Sequence, residues 1–322
     1  MPDTRQPHTT QLLAVSKLAP LFASQLTAAF TVHDRLHDTD AAALARVAPQ
    51  VRGIAASGES KVSAGLIEQL PALQIISVMG VGYDGIDVAA AKARGVVVTH
   101  TPNVLNDDVA DLAIGLMLCA ARQLPAADRY VRAGQWQSSG PMPLARKMSG
   151  ARLGLVGMGR IGLAIAHRAA AFGMSIAYTA RNLKPALPHL YFPTAAALAA
   201  EVDFLVVITP GGAGTRKLID AEVLAALGRK GILVNVARGS VVDEAALIDA
   251  LERGVIGGAG LDVFEDEPNV PERLRAMPQV VLAPHIGSAT GQTRQAMADL
   301  AFANLQAHFA GQPLLSPVPE CQ

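Results

Sequence analysis

The sequence predicts an α/β protein with two domains, each built on a parallel sheet covered by helices. The chain has 322 residues, which is too many for one ordinary core. In its first third, short apolar runs alternate with stretches of helical period, as expected for a parallel sheet with helices on its faces. The same alternation starts again at Leu153. We therefore expect two doubly wound parallel-sheet domains, with an active site in the cleft between them.

The first series of elements ends at a change of pattern near Thr101. Strands are expected at residues 12–15, 53–55, 73–78 and 96–98, and helices at residues 64–70 and 89–94. After Thr101 a long helix is expected at residues 107–122, followed by another around residues 126–133. This change from alternating elements to consecutive helices predicts a hinge.

The second series gives clearer signals for strands and helices. Strands are expected at residues 153–156, 175–178, 204–208, 232–236, 260–264 and 280–283, and helices at residues 161–172, 195–200, 244–253 and 293–309. Asp243 can cap the helix at 244–253, and Gly254 can end it. No strand is expected after the last helix.

The composition favours a small molecule as the partner. The 27 basic and 27 acidic residues cancel, so there is no electrostatic reason to expect nucleic acid or an acidic membrane surface. The two cysteines, Cys119 and Cys321, lie in no CxxC motif or His/Cys cluster. Neither a disulfide framework nor a metal site is therefore expected, and the presence of only two cysteines suits a reducing cytoplasm.

Two segments bear on targeting and assembly. Residues 1–10 are polar and lack the apolar centre of a signal peptide, so they predict a loose tail. The longest apolar stretch, residues 112–121, is far too short to span a bilayer and predicts a buried helix. This stretch and the segment around Trp136 are more apolar than an exposed hinge region should be, which predicts a two-fold homodimer built around them.

A glycine-rich turn indicates a dinucleotide site in the second domain. The motif Gly157-Met158-Gly159-Arg160-Ile161-Gly162 follows an apolar strand and opens a helix. Gly157 permits the tight turn, Gly159 lets the backbone approach a pyrophosphate, and Gly162 lets helix and strand pack closely. The helix N-terminus offers unpaired N–H groups to the phosphates, so a Rossmann domain is expected.

The residues after the next strand indicate which dinucleotide is bound. A carboxylate at this place would bond the ribose hydroxyls of NAD, but residues 178–184 contain no Asp or Glu. They contain Arg181, whose guanidinium can hold a 2′-phosphate with two hydrogen bonds, and Lys184, which can add a charge. NADPH is therefore the expected cofactor and NADH the weaker alternative.

Three ionisable residues lie just after predicted strands of the second domain, where open α/β sheets bind ligands. They are Arg238, Glu267 and His285. Hydride transfer to a 2-oxo acid requires a cation for the carboxylate, an acid for the developing alkoxide, and a carboxylate that keeps this acid protonated. Arg238, His285 and Glu267 fit these roles in that order. His100, His167, His189 and His308 lack such a setting and are assigned to surface or packing roles.

Together with their flanks, these residues resemble the D-isomer-specific 2-hydroxyacid dehydrogenase family. The resemblance runs from about Leu66 to Gly287, and the matching stretches are residues 79–87, 101–104 with 109–111, the glycine-rich turn, and residues 236–243, 260–264 and 284–287. Within the family the chain is most similar to glyoxylate/hydroxypyruvate reductases and to the hydroxyphenylpyruvate reductases of plants. A small 2-oxo acid is thus the implied substrate.

The resemblance implies further roles and a domain division. The backbone N–H groups of Val81 and Gly82 are expected to bind the substrate carboxylate beside Arg238. Asp262 is expected to hold the nicotinamide carboxamide, and Thr209 and Pro210 to flank the adenosine. The family's substrate domain is discontinuous and flavodoxin-like, so residues 1–100 with 291–322 are expected to form it, and residues 101–290 the Rossmann domain that binds NADP.

Three other protein classes share parts of this pattern. Formate dehydrogenases share the fold but look different at the acid, where a Gln replaces the residue that matches Glu267. Phosphoglycerate dehydrogenases usually favour NAD, and many carry a further regulatory domain. A dinucleotide-sensing protein of the corepressor type would keep the same three residues.

Low aromatic content near the motifs favours glyoxylate and hydroxypyruvate as substrates, although the loop at 138–147 leaves room for bulkier 2-oxo acids.

Overall fold

The computed structural model describes residues 10–322, which fold into two compact units. Unit 1 consists of two segments, Met1–Leu105, which is described from residue 10 onward, and Thr290–Gln322. Unit 2 is Asn106–Ala289. The sequence analysis placed its domain boundaries at 100/101 and 290/291, close to these divisions. The tail predicted at residues 1–10 lies outside the described residues except for Thr10.

Unit 1 contains a five-stranded parallel sheet in the order β2-β1-β3-β4-β5. Its strands are β1 (Gln11–Ala14), β2 (Thr31–Asp34), β3 (Val51–Ser57), β4 (Ile75–Met79) and β5 (Val97–Thr99), and its helices are α1 (Pro20–Ala29), α2 (Leu36–Thr39), α3 (Ala41–Val47), α4 (Ala64–Glu68), α5 (Val88–Ala93) and α14 (Gly291–Phe309). Every residue of β4 is buried, as expected for a strand covered on both faces.

The last helix of the chain belongs to unit 1. α14 packs on β4 and α1, and the buried Ser77 hydroxyl of β4 donates a hydrogen bond of 2.9 Å to the Ala301 carbonyl. The described residues after α14 then return to β5, where the Val318 N–H donates to the Val98 carbonyl. Unit 1 is therefore discontinuous in sequence.

Unit 2 contains a seven-stranded parallel sheet in the order β12-β11-β10-β9-β6-β7-β8. Its strands are β6 (Arg152–Val156), β7 (Ser175–Thr179), β8 (Leu190–Tyr191), β9 (Phe204–Val207), β10 (Ile232–Asn235), β11 (Gly258–Leu261) and β12 (Val280–Leu282). Its helices are α6 (Asn106–Arg122), α7 (Leu124–Arg132), α8 (Gln135–Ser139), α9 (Arg160–Ala170), α10 (Ala195–Ala199), α11 (Ala221–Leu227), α12 (Glu244–Glu252) and α13 (Glu272–Ala276). The predicted fold class, two parallel-sheet α/β domains, is confirmed.

The apolar stretch at 112–121 lies in α6, where five of its ten residues are buried in unit 2 and the other five are half-buried. α6 packs on α9, β10 and β11, and Ala113, Leu116 and Met117 are nearly inaccessible to solvent. Contacts within the chain therefore account for the buried half of the stretch. In residues 10–322 no single helix is long and apolar enough to cross a membrane, and only α6 with α7, a pair bent by 59°, meets the length and composition required.

Three elements of local structure differ from the sequence prediction. The strand expected at 260–264 is β11, Gly258–Leu261, because the chain leaves the sheet at Asp262, whose buried carboxylate accepts hydrogen bonds from a neighbouring loop. The edge strand β2 was not predicted, because its residues are exposed or half-buried and give no apolar run. Helix α1, between β1 and β2, was missed as well.

Candidate active site and cofactor site

The glycine-rich turn begins directly after β6 and admits no side chain at two of its positions. Gly157 has a φ of 111°, and a Cβ on it would lie 2.6 Å from the Ile208 carbonyl oxygen. A Cβ on Gly162 would lie 2.5 Å from the Gly157 carbonyl oxygen. The turn can therefore keep its tight course only with glycine at both places.

The start of α9 leaves room for an anionic group. Gly159 is the N-cap, no side chain caps the helix, and a Cβ on Gly159 would meet nothing within 4 Å. Arg160 is exposed and Ile161 half-buried in the first turn. Because first-turn N–H groups have no partner within their helix, this open cradle fits the pyrophosphate of a dinucleotide.

Two further predicted cofactor residues follow β9, the strand next to β6. Val156 pairs with Val207 in the parallel ladder, so the chain after β9 passes directly beside Gly157. Thr209 is half-buried and Pro210 exposed, and the Pro210 carbonyl accepts a hydrogen bond of 2.7 Å from the Thr215 hydroxyl. The structure thus brings Thr209 and Pro210 to the same edge of the sheet as the glycine-rich turn.

The loop that carries Arg181 and Lys184 follows β7. Both side chains are exposed, so they can meet a ligand from solvent. The loop is held by Tyr178, which is fully buried and whose hydroxyl accepts a 2.8 Å hydrogen bond from the Lys184 N–H. The sequence analysis missed this role of Tyr178, because an aromatic residue in a buried strand indicates only packing.

Arg238 follows β10 and is positioned by Asn235, the last residue of that strand. The buried Asn235 side chain accepts a hydrogen bond from the Ala237 N–H and donates one to the Arg238 carbonyl, both at 3.0 Å. The Arg238 guanidinium is half-buried and donates to the Ala237 carbonyl at 2.8 Å. Asn235, also missed from sequence, therefore fixes the backbone from which Arg238 extends.

Glu267 and His285 form the hydrogen-bonded pair that the sequence predicted. The His285 Nδ1–H donates to Glu267 Oε2 at 2.7 Å, and Oε1 accepts the Phe264 N–H at 2.9 Å. Burial alone would raise the pKa of Glu267, but these two hydrogen bonds and the charges of His285 and Arg238 hold it below its ordinary value. Glu267 is therefore a carboxylate at neutral pH.

Asp262 shapes the loop that carries His285. Its two carboxylate oxygens accept hydrogen bonds from the Ile286 N–H at 2.7 Å and the Gly287 N–H at 2.8 Å, and its carbonyl accepts the His285 N–H. His285 has a φ of 52°, a left-handed conformation that is uncommon outside glycine. Burial raises the pKa of Asp262 despite the two N–H donors. The expected contact of Asp262 with the nicotinamide stays a prediction.

Val81 and Gly82 lie in unit 1, just after β4. Both are half-buried, and among residues 10–322 neither N–H donates to an acceptor within unit 1. Neighbouring N–H groups without partners are rare in folded proteins unless water or a ligand accepts from them. This arrangement suits the anion-binding role that the resemblance implies for them.

Comparison with known proteins assigns the family. The profile of the D-isomer specific 2-hydroxyacid dehydrogenase NAD binding domain matches residues 114–287. A glyoxylate/hydroxypyruvate reductase A from Arabidopsis thaliana is 50% identical over 268 residues, which is 83% of this chain and 85% of that protein. This chain belongs to the D-isomer specific 2-hydroxyacid dehydrogenase family.

Further relatives of this D-2-hydroxyacid dehydrogenase include a plant enzyme and a bacterial one of known structure. The hydroxyphenylpyruvate reductase of Plectranthus scutellarioides is 49% identical over 275 residues, or 85% of this chain and 88% of that protein. The crystal structure of an NADPH-dependent glyoxylate/hydroxypyruvate reductase from Sinorhizobium meliloti, in complex with NADP and malonate, is 48% identical, with a TM-score of 0.92. It covers 97% of this chain and 98% of that chain. The predicted family and enzyme class are confirmed.

Proposed function

We propose that this dehydrogenase reduces small 2-oxo acids, glyoxylate and hydroxypyruvate first, to D-2-hydroxy acids with NADPH as the reductant. The observation that carries the proposal is the hydrogen bond of 2.7 Å between His285 and Glu267. Arg238 is near enough for its positive charge to lower the pKa of Glu267. An acid, its carboxylate partner and a cation are the groups this reduction requires. Support also comes from two relatives named as glyoxylate/hydroxypyruvate reductases.

The proposed chemistry assigns the proton to His285. NADPH supplies a hydride to the carbonyl carbon of the 2-oxo acid. As negative charge develops on the carbonyl oxygen, His285 donates a proton to it from Nε2, since Nδ1 is hydrogen-bonded to Glu267. The Glu267 carboxylate stabilises the imidazolium before transfer and holds the ring in one tautomer. His285 is thus the general acid and Glu267 its partner.

Binding of the substrate carboxylate is assigned to Arg238 and to the N–H groups of Val81 and Gly82. Arg238 offers a guanidinium whose backbone is fixed by Asn235, and the two N–H groups have no acceptor within unit 1 among the described residues. Charge-assisted hydrogen bonds of this kind are about twice as strong as neutral ones. On this proposal, a carboxylate next to the reacting carbonyl is required.

NADPH is proposed over NADH because of the loop after β7. The glycine cradle at 157–162, Thr209 and Pro210 suit the part of the dinucleotide that NADH and NADPH share. Arg181 and Lys184 are exposed on a loop whose shape Tyr178 holds. On this proposal unit 2 is the NADP-binding domain and unit 1 the substrate domain.

A second candidate is the reduction of bulkier 2-oxo acids. It is favoured by the relative named hydroxyphenylpyruvate reductase, which is 49% identical. The loop at 138–147, mostly exposed, is where such a substrate could be accommodated.

We also propose a cytoplasmic homodimer. The proposed dimer surface combines the half-buried part of the 112–121 stretch of α6 with α7, α8 and the loop that follows. Leu124, Val131, Trp136 and Leu144 are exposed there, Trp136 to 65%. Apolar groups exposed in one region are typical of an interface between subunits. Both cysteines are free, which suits a reducing compartment.

The substrate assignment predicts a ranking within a panel of 2-oxo acids assayed with NADPH. Glyoxylate and hydroxypyruvate should have the highest kcat/KM, and an aldehyde without a carboxylate should be reduced poorly because it cannot use the Arg238 anchor. NADPH oxidation followed at 340 nm measures each rate. A preference for phenylpyruvates would select the second candidate, and efficient reduction of an aldehyde without a carboxylate would contradict the Arg238 anchor.

The pH dependence tests the Glu267–His285 pair. Because the pKa of Glu267 is held low, its negative charge is present at neutral pH and favours the protonated imidazole. The reductive activity therefore falls as pH rises and His285 loses its proton. In Glu267→Gln this fall should occur at least about one pH unit lower. Asp266→Asn, which removes an exposed carboxylate next to it in sequence, is the control. An unchanged alkaline limb in Glu267→Gln would show that the pair is not coupled.

Cofactor preference depends on Arg181. A charge-assisted bond between a guanidinium and a phosphate is worth roughly 1.5–3 kcal/mol, or about ten- to a hundredfold in affinity. Arg181→Ala should therefore raise KM for NADPH by about tenfold or more and leave KM for NADH nearly unchanged. Arg160→Ala, in the first turn of α9, is a comparison variant expected to weaken both cofactors alike. An equal rise of KM for NADPH and for NADH in Arg181→Ala would assign Arg181 a structural role.

The proposed dimer surface predicts the mass in solution. At micromolar concentration, sedimentation should give twice the chain mass of 33.4 kDa. Trp136→Asp should shift the mass toward a single chain, since it places a charge in the apolar surface. Leu190→Asp is the control, because Leu190 on β8 is as exposed as Trp136, and it should leave the mass unchanged. A single-chain mass for the wild type would contradict the proposal.

A further inference from the structure

His100 lies directly after β5, and its backbone is hydrogen-bonded to the end of the chain. Its N–H donates to the Ser316 carbonyl at 3.1 Å, and its own carbonyl accepts the Ser316 hydroxyl at 2.6 Å. Both bonds use main-chain atoms of His100. The backbone position of this residue is therefore set without any contribution from its imidazole, which leaves the role of the ring to be explained.

The imidazole is hydrogen-bonded to the turn that follows β4. Nδ1 lies 3.0 Å from the Val81 carbonyl oxygen, and because a carbonyl can only accept, Nδ1 carries the hydrogen. The Val81 carbonyl and the Gly82 N–H are the two ends of one planar peptide group, and in a trans peptide they point in opposite directions. Holding the carbonyl therefore sets the direction of the Gly82 N–H.

We propose that His100 is a positioning residue for substrate binding, which aims the Gly82 N–H at the substrate carboxylate. The inference rests on the proposed function, in which the N–H groups of Val81 and Gly82 bind that carboxylate. A hydrogen bond to the carbonyl also polarises the peptide and strengthens its N–H as a donor. This role replaces the surface or packing role that the sequence analysis assigned to His100.

Tyr83 contacts the His100 ring, and Asn304 supports Ser316, which is hydrogen-bonded to the His100 backbone. The Tyr83 ring packs edge-on against the imidazole, with centroids 5.2 Å apart and planes at 89°. Ser316 is held in turn by the buried Asn304 of α14, which donates to the Ser316 hydroxyl at 2.8 Å and accepts the Ser316 N–H at 3.1 Å. A chain of hydrogen bonds thus runs from the last helix to the Val81–Gly82 peptide.

A pure packing role for the ring makes a different prediction from a donor role. His100→Leu replaces the imidazole with an apolar side chain of similar bulk and removes the ring N–H. His100→Asn loses the ring but retains a side-chain N–H at nearly the position of Nδ1. Donation by His100 therefore predicts that Asn rescues and Leu does not, and packing predicts the reverse. His33→Leu is a matched control, because His33 is also half-buried in unit 1 and hydrogen-bonded through its ring to Gln11.

The experiment measures carboxylate binding in two ways on the full-length protein. Calorimetric titration of malonate into protein saturated with NADP reports binding without turnover, and steady-state kinetics with glyoxylate report KM and kcat. His100→Leu should weaken malonate and raise KM by about tenfold, the size expected for one misdirected hydrogen bond to a charged group. NADPH affinity, measured by fluorescence titration, and kcat should change by less than about threefold.

The outcomes separate this inference from the proposed function. Recovery to within about threefold of wild type in His100→Asn, with His33→Leu unchanged, supports the positioning role. Wild-type malonate affinity and KM in His100→Leu would overturn it, as would equal losses in His100→Leu and His100→Asn. If the wild-type protein neither binds malonate nor reduces any 2-oxo acid, the proposed function fails and the inference fails with it.

Discussion

Parallel pairing of the strands is the constraint on which the arrangement of unit 2 depends. In a parallel sheet every strand ends at the same edge, so the loops that follow the strands are neighbours even when they are far apart in sequence. The ladder between β6 and β9 places Thr209 beside the glycine-rich turn, and the ladders of β10, β11 and β12 order the loops that carry Arg238, Asp262 and His285. The glycine-rich turn and the loops that carry Arg238, Asp262 and His285 are thereby gathered at one edge of the sheet.

Strand order alone would leave these loops free to move, and buried polar side chains hold them. Asn235, Asp262 and Tyr178 are each almost inaccessible to solvent, and each makes its hydrogen bonds to the backbone of a loop that carries a proposed functional residue. Leaving such a buried group without a partner costs about 1–3 kcal/mol. Each loop therefore has one favoured conformation, which is what a site that binds a transition state requires.

The sequence predicted the parts of this protein that have a local signal. The glycine-rich turn could be recognised because strand, turn and helix lie within a few residues of one another, and Arg238, Glu267 and His285 because each follows an apolar run. The hydrogen bonds of Asn235, Tyr178 and His100 to neighbouring loops could not be predicted, because a hydrogen bond to a backbone atom leaves no pattern in composition or periodicity. The edge strand β2 escaped for a related reason, since exposed residues give no apolar run.

The buried Asp262 and the half-buried Glu267 show how the environment shifts the pKa of the same functional group in opposite directions. Burial raises the pKa of both carboxyls, and for Asp262 this effect prevails over two backbone N–H donors. For Glu267 the hydrogen bond from His285 and the nearby positive charges outweigh burial, so its pKa falls. A carboxylate that is to keep a neighbouring imidazole protonated has to remain charged, and the lowered pKa of Glu267 suits it to that proposed role. On the proposed mechanism, the hydrogen bond to the His285 ring is therefore what distinguishes Glu267 from Asp262 as the partner of the acid.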